Sequence, residues 1–447
     1  MKLKKPNPIS HLLTFKKELW IRDYSTRMQR WLGGEKSAPI RIDAEVHRRC
    51  NCNCLHCARR RAKHDLSEES KEIEVDDIKW YKVAHESGKL GVKAWNIAGI
   101  GEPMIKSKFV IKLMRIIKQE HMFGELTSNG TLWSINDIKE VVRIGWDSIG
   151  ISIDAPNAKI HNHIRRYNAF DKAVQTVKLL SKYREKYQVE TPCITINMVL
   201  NALNYHTLPE MVEFVYNLRA DALFVEPMIV YTSLGEKIKL NTMQTQELPK
   251  IIKKSQKLAD KLGVELFISC LVGDDEVKEF DKNLIEKTGN IKQEIHKGTQ
   301  RKLRDSTWNL IDQILNIPCY YPWFYLIITA DGSVAHCGEC TEKSENIKNK
   351  SLKEIWYGNH MESLRRNYLN KKLPEYCNNC RPNVIGDLNL VRKSIREYGS
   401  LDAVQKKLVT VFKENLDLLD HLYYIKQGIK PPLKKRNILN RIRTYWI

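Results

Sequence analysis

The sequence predicts an α/β protein: a partial (β/α)6 barrel, then a small cysteine-rich C-terminal module, with helical extensions at both ends. Three observations carry this. Strand and helix periods alternate from about residue 40 to 270, as in a run of βα units. Nine of the eleven cysteines fall in two groups, Cys50 to Cys57 and Cys319 to Cys380. Short polar motifs recur where successive predicted strands end.

The first strand is the apolar-polar alternation from Ile40 to Val46. A helix over Val75 to Glu86, with Ile78, Val83 and Ala84 turned inward, leads to a strand over Val92 to Ala98. Helices follow at 109–118, 135–144, 170–187 and 208–218, and strands at 123–127, 147–153, 193–200 and 222–227. Parallel neighbours need such crossovers, which are nearly always right-handed. Six strands therefore curl one way into an open barrel whose ligands gather at the C-terminal strand ends. A further helix (242–262) and strand (264–269) precede a polar stretch, 273–316, without strand period. The expected boundaries are 1–39 for a basic helical extension, 40–270 for the barrel, 271–317 for a polar helical insertion, 318–382 for the cysteine module, and 383–447 for a helical extension with a basic tail.

A chain of 447 residues can bury a barrel-sized core with appendages. No stretch approaches the ~18 uninterrupted apolar residues of a membrane span, and Phe15-Lys-Lys-Glu18 stands where a cleavable apolar segment would. The expectation is a cytoplasmic protein whose reduced thiols serve metals rather than disulfides, with Cys193 and Cys270, alone in apolar runs, as core residues. The formal charge of +21 points to nucleic acid, an acidic or phosphorylated substrate, or a membrane surface; a solvated lysine-rich surface accounts for it equally well.

Cys50, Cys54 and Cys57 form a C-x3-C-x2-C triplet directly after the first strand. Three thiolates this close suit a [4Fe-4S] cluster with one iron left open, because the usual complement is four cysteines. Cys52, His47 or His56 would instead complete a tetrahedral zinc set. After the second strand, Gly99 and Gly101 allow close backbone approach, and a strand-end carbonyl or Glu102 can accept from an ammonium group. Thr127-Ser-Asn-Gly130 and Ser152-Ile-Asp154 close the third and fourth strands with groups that suit a ribose or carboxylate, or that only turn the chain. In the C-terminal module Asp331-Gly332 signals a hairpin. Cys337-x2-Cys340 with Cys377-x2-Cys380 has zinc-ribbon spacing, whereas Cys319, Cys337, Cys377 and Cys380 supply a fully ligated [4Fe-4S] cluster.

These motifs, in this order, resemble the radical S-adenosylmethionine (SAM) superfamily over roughly residues 40–382. The triplet has that family's spacing, with His56 where an aromatic residue is usual and Cys52 in place of an aliphatic one. Gly99-Ile-Gly-Glu-Pro103 resembles the Gly-Gly-Glu-Pro motif that receives the SAM amino group, its glycines spread by one residue. Asn129-Gly130, Ser152-x-Asp154 and His161-x3-Arg165 are similar to the family's Asn-Gly, Ser-x-Asp and His-x3-Arg series, and Asn204 and Glu226-Pro227 match it more loosely. The resemblance implies a cluster on Cys50, Cys54 and Cys57, and SAM held by Gly99, Gly101, Glu102, Asn129, Ser152 and Arg165, the last pairing with its carboxylate. It also implies reductive cleavage of SAM to a 5'-deoxyadenosyl radical.

Cys319-x2-Pro-Trp323, Asp331-Gly-x-Val334, Ser351-Leu-x2-Ile-Trp356 and the closing Cys377-x2-Cys380 resemble the SPASM module, especially its single-cluster Twitch form. That implies an auxiliary [4Fe-4S] cluster on Cys319, Cys337, Cys377 and Cys380, with Cys340 surplus. The expected function is hydrogen abstraction from an unidentified small-molecule or peptide substrate, oxidised with help from the auxiliary cluster and fed by a reductant such as flavodoxin or ferredoxin. The other readings are a basic RNA- or peptide-modifying enzyme of the same kind and a non-catalytic iron-sulfur or zinc scaffold. Nucleic acid is disfavoured because no stacking or RNA-binding pattern lies outside the termini. About forty residues precede the first strand, which weighs against a separate peptide-recognition domain.

Trp323, Phe324 and Tyr325 read as the module's small core, and His161 and His163 as helix-start polar residues. The segment from Ile9 to Leu32 and the tail from Leu433 to Ile447 are both basic and amphipathic. Either suits an anionic membrane surface; packing on the barrel suits the first equally well.

Overall fold

The computed structural model describes residues 27–28, 30–58, 74–268, 314–340, 345–380 and 392. Most of the predicted insertion, Cys270, the basic tail and the first 26 residues lie outside the described residues. Seven parallel strands form the barrel wall: β1 (Arg41–Ala44), β2 (Ala94–Ile97), β3 (Phe123–Ser128), β4 (Ser148–Ser152), β5 (Cys193–Leu200), β6 (Ala222–Pro227) and β7 (Glu265–Phe267). The sheet has nine strands in the order β7-β6-β5-β4-β3-β2-β1-β8-β9 and does not close, which makes it a partial barrel.

Helices cross over between the strands: α1 (Asp77–Leu90), α2 (Ser107–Gln119), α3 (Ile135–Ile144), α4 (Ala158–Arg165), α5 (Phe170–Lys186), α6 (Leu208–Asn217), the short α7 (Ser233–Glu236) and α8 (Thr242–Leu262). Their ends follow local chemistry. Asp76 caps α1 by accepting from the Lys79 amide, Ser134 and Asp137 form a capping box on α3, and Gly91 and Gly145 close those helices in the left-handed region. One sheet face carries Ile42, Trp95, Leu126, Ile149, Ile196 and Leu223, all buried in a single core with helix residues such as Trp80, Leu113 and Val177. Each such side chain contributes roughly 1.5–3 kcal/mol by leaving water.

Within α1 the buried stripe is Trp80, Val83, Ala84 and Ser87. Ile78, expected inward, is 64% exposed, because it lies off the i, i+3, i+4, i+7 face that those residues share.

The C-terminal module is built onto the barrel sheet. Its strand β8 (Tyr325–Ile328) pairs in parallel with β1, Arg41 opposite Tyr325 through Ala44 opposite Ile328. β9 (Val334–Ala335) returns antiparallel, so the hairpin at Asp331-Gly332 forms as expected. The short helix α9 (Tyr321–Phe324) precedes β8, and α10 (Leu352–Trp356) and α11 (Asn359–Leu369) follow β9. Trp323 and Phe324 are core residues, as expected, but Tyr325 is only half-buried and its hydroxyl bonds Asp43 on the other sheet face. Trp31, from the N-terminal segment, stacks on Tyr357 and meets Trp356 edge-on, with the Arg365 guanidinium 4.4 Å from its ring. The described part of that segment is therefore packed.

Candidate active site

The loop after β1 holds four cysteines in one cluster: Cys52 and Cys54 are buried with Ala169, and Cys50, Cys57 and Tyr167 pack against them. Its backbone is tied down from several sides, which an irregular buried segment requires. Asn53 and Leu55 donate to the carbonyls of Arg165 (3.1 Å) and Ile164 (2.9 Å) at the end of α4. The Glu102 amide donates to Arg49 O at 2.8 Å, so the loop after β2 lies directly on it. A Cβ on Gly101 would stand 2.2 Å from His47 O, so only glycine permits this approach.

Glu102 is buried, and its oxygens accept from the Met104 amide (3.0 Å), Ser128 Oγ (2.8 Å) and the Asn129 amide (2.6 Å). Burial pushes its carboxyl above the usual range. Read as a group facing a ligand, Glu102 instead has its oxygens engaged in holding the β3 turn. That turn carries Asn129 and Gly130, the latter at φ +76, where a Cβ would also meet Ala173 at 3.0 Å. The Asn129 side-chain Nδ2 donates to Asn51 Oδ1 (2.8 Å) and Cys52 Sγ (3.4 Å), and lies 4.0 Å from Cys50 Sγ.

Arg165 is buried between Asp154, 2.7 Å from Nε to Oδ2, and Cys54, 3.7 Å from Nη1 to Sγ. Burial opposes charge on both members of the ion pair. The mutual attraction outweighs it, holding Asp154 below and Arg165 above their ordinary values. His161 is fully buried and accepts from the Asp154 amide at 3.1 Å; burial lowers it to about 4, so it is neutral. It stands in the first turn of α4, where a helix-start residue was expected, whereas His163 lies in the last turn. Ser152, at the end of β4, is half-buried. Sequence reasoning missed Asp154 as the partner of Arg165, and Asn51 and Thr131, whose 2.8 Å bond ties the two loops.

The thiols differ by group. Cys52 hydrogen-bonds both Cys50 and Cys54, stays protonated itself, and lowers both partners, Cys54 to about 5 with further help from Arg165. Thiolate is the form that binds iron, so this donor set fits a cluster. In the second group burial pushes Cys319 and Cys337 up to about 12. Cys319 lies within electrostatic reach of Cys337, Cys380 and Cys377, and Cys337 within reach of Cys340. Among the described residues, no three His, Cys, Asp or Glu side chains converge on one metal-ion position. A four-iron cluster takes one thiolate per iron and does not ask for that convergence. His47, a possible zinc ligand by sequence, points its Nε2 at Pro103 O, 3.4 Å away.

The inner sheet face, opposite the core, mixes polar side chains with half-buried Phe123, Phe224, Phe267 and Ile327. Arg41 pairs with Asp43 and, reaching past β2, with Glu125, both at 2.7 Å. Asn96, Thr127, Asn197 and Glu226 are half-buried along the same wall.

Thiols gathered at the C-terminal mouth of an open parallel barrel, with a second cysteine group built onto the same sheet, define a barrel protein organised around cysteine-bound clusters. Residues 44–215 match the radical SAM superfamily, and residues 319–381 match the SPASM iron-sulfur cluster-binding domain. The chain carries a radical SAM domain followed by a SPASM domain. Such a domain pair binds a [4Fe-4S] cluster, SAM and auxiliary iron-sulfur clusters.

The chain is similar to the tungsten-containing aldehyde ferredoxin oxidoreductase cofactor-modifying protein of Pyrococcus furiosus, 28% identical over 42% of this chain and 51% of the relative. It is also similar to PqqA peptide cyclase of Bradyrhizobium diazoefficiens, 24% identical over 43% of this chain and 47% of the relative. The chain thus spans about half the length of these curated relatives. Streptococcus suis SuiB bound to precursor peptide SuiA shares the fold, with a TM-score of 0.55 and 15% identity over 74% of this chain and 67% of that one. Among the described residues no helix is long and apolar enough to cross a membrane.

Proposed function

We propose that the chain is an enzyme that cleaves SAM reductively and uses the resulting radical to abstract hydrogen from a polar substrate, a peptide or a hydrophilic small molecule. When bound, the cluster and SAM together supply a one-electron cleavage of a sulfur–carbon bond that yields methionine and a 5'-deoxyadenosyl radical. The observation that carries the reading is the convergence of Cys50, Cys54, Asn129 and Arg165 at the barrel mouth. Cys50, Cys54 and Cys57 would hold the cluster. Backbone at Gly99 and Gly101 would meet the SAM amino group, with Glu102 holding the adjoining turn. Asn129 and Ser152 would meet its hydroxyl and carboxylate groups. Arg165, braced by Asp154, would turn its remaining nitrogen to the carboxylate. Cys319, Cys337, Cys377 and Cys380 would ligate the auxiliary cluster.

A polar substrate follows from the wall. Barrel interiors are ordinarily filled by branched apolar side chains. Here Arg41, Asp43, Asn96, Glu125 and Asn197 share the face with Phe123, Phe224, Phe267 and Ile327 and stay half-buried, so a hydrophilic ligand with some apolar surface keeps hydrogen-bond partners inside. A peptide substrate is supported by the similarity to PqqA peptide cyclase and to SuiB bound to its precursor peptide. A small reductant such as flavodoxin or ferredoxin would supply the electron.

The test is metal content and SAM turnover. Anaerobically reconstituted protein should carry about eight irons and no stoichiometric zinc. Replacing Cys50, Cys54 and Cys57 by Ala should halve the iron and abolish 5'-deoxyadenosine formation. Cleavage that survives this replacement would overturn the assignment.

A further inference from the structure

We propose that His336 and Tyr368 form a directed hydrogen-bond relay onto Cys377 that raises the reduction potential of the auxiliary cluster. The inference rests on the reading of Cys377 as a ligand of that cluster. Tyr368 lies on α11 and His336 just after β9; they are 1% and 2% exposed. Tyr368 Oη stands 3.2 Å from Cys377 Sγ and 3.0 Å from His336 Nε2.

The direction of the relay follows from proton counting. A ligating thiolate carries no proton and only accepts, so the single hydroxyl proton of Tyr368 must point at Cys377. The Tyr368 oxygen is then left to accept, and the proton on His336 Nε2 supplies that bond. The ligand at one end therefore orients both hydrogen bonds.

The packing holds this geometry. The His336 ring meets Tyr368 edge-on, centroids 5.6 Å apart at 87°, and lies 6.0 Å from Tyr376. One turn back on α11, Arg365 donates to Pro322 O and Trp356 O, both at 2.9 Å, which pins the helix against the segment that follows Cys319. Buried away from water, a donor to a ligand sulfur acts at low dielectric and stabilises the reduced, more negative cluster above the oxidised one. Hydrogen bonds to ligand sulfurs are among the recognised determinants of cluster potential.

The experiment is a dithionite redox titration of the reconstituted full-length protein, followed by electron paramagnetic resonance. Tyr368→Phe keeps the ring and removes the hydroxyl. It should shift the reduction equilibrium of the auxiliary cluster about tenfold toward the oxidised form, which is 59 mV downward for one electron, and leave the SAM-site cluster unmoved. His336→Leu should move it the same way by less, and His336→Gln, which restores an N–H donor, should bring it back. Equal auxiliary potentials across these variants at full iron content would overturn the relay. So would loss of the auxiliary cluster in all three variants with the fold intact, because that makes the contact structural rather than tuning. Full iron content in Cys377→Ser would instead overturn the ligand assignment beneath the proposal.

Discussion

Asp154→Asn isolates the ion pair at the heart of the mouth, since it keeps the shape of the side chain and removes its charge. Asp154 is fully buried, with Oδ2 2.7 Å from Arg165 Nε and Oδ1 accepting from the Val199 amide at 3.1 Å. The substitution leaves Arg165 charged and buried without its carboxylate. Breaking one side of a buried pair costs about 3–5 kcal/mol. For a unit of roughly 200 residues each kcal/mol moves the midpoint by about 2–4 °C, so the apo-protein should melt at least ~6 °C lower. Because Arg165 holds the Asp154 carboxyl below its ordinary value, the pair's contribution is present above the ordinary carboxylate range and is lost as pH falls through the depressed value. Calorimetry of Asp154→Asn, Arg165→Met and the Asp154→Asn/Arg165→Met double variant at neutral pH measures the coupling. The double variant should be less damaged than the two single losses summed. A midpoint for Asp154→Asn within about 2 °C of the parent, or strict additivity, would refute the reasoning.

Other outcomes follow from the thiols and the tail. Cys340→Ser should keep full iron while Cys319→Ser loses the auxiliary cluster; iron analysis showing the reverse would exchange their roles. Cys52→Ser should leave the SAM-site cluster in place, because Cys52 acts as hydrogen-bond donor to its neighbours rather than as their replacement. Cluster loading should separate by pH. Cys319 and Cys337, held near 12 by burial, must release protons to bind iron, so auxiliary occupancy should rise between pH 7 and 9, while Cys54, lowered to about 5, leaves the SAM site nearly flat over that range. Parallel occupancy curves would count against this. Removing the basic tail, 431–447, should abolish sedimentation with anionic liposomes and spare SAM cleavage; unchanged binding would return the tail to ordinary surface.

The barrel was legible because its strands alternate and its crossovers are amphipathic, so β5, β6, α3 and α8 fall at the predicted bounds. What stayed hidden depends on distant partners. Nothing local in Tyr325–Ile328 announces that it pairs with Arg41–Ala44, more than 280 residues earlier, or that Tyr325 turns to Asp43 while Trp323 and Phe324 enter the core. Helix α4 is rich in Asn and His, which masks its period, although its Asn157 cap is a readable start. Motif positions such as Asn129 and Arg165 were legible from their order along the chain. Their partners were not, because Asp154 and Asn51 acquire those contacts only when three loops meet at one mouth.

The pairing of β8 with β1 sets where the two cysteine groups can act. Cys50 follows the end of β1, whereas Cys319 precedes the start of β8, and the two strands run parallel in register. The two loops therefore leave the shared wall at opposite ends. β9 returns antiparallel and carries Cys337 back toward the same end as Cys319. Between the two ends runs the inner wall, with Arg41, Tyr325 and Phe123 at one level and Asp43, Asn96, Glu125 and Ile327 at the next. On the proposed function, a substrate seated on that wall would have the Cys50–Cys57 loop beyond one end and the segment carrying Cys319 before the other. Arg48, in the cysteine loop after β1, lies 3.8 Å from Asp331 in the β8–β9 hairpin, and the Val75 amide donates to Ala330 O at 2.8 Å. The C-terminal module is thus fixed against the loop that carries the SAM-site cysteines, so its distance from the mouth is set by strand register rather than by a linker.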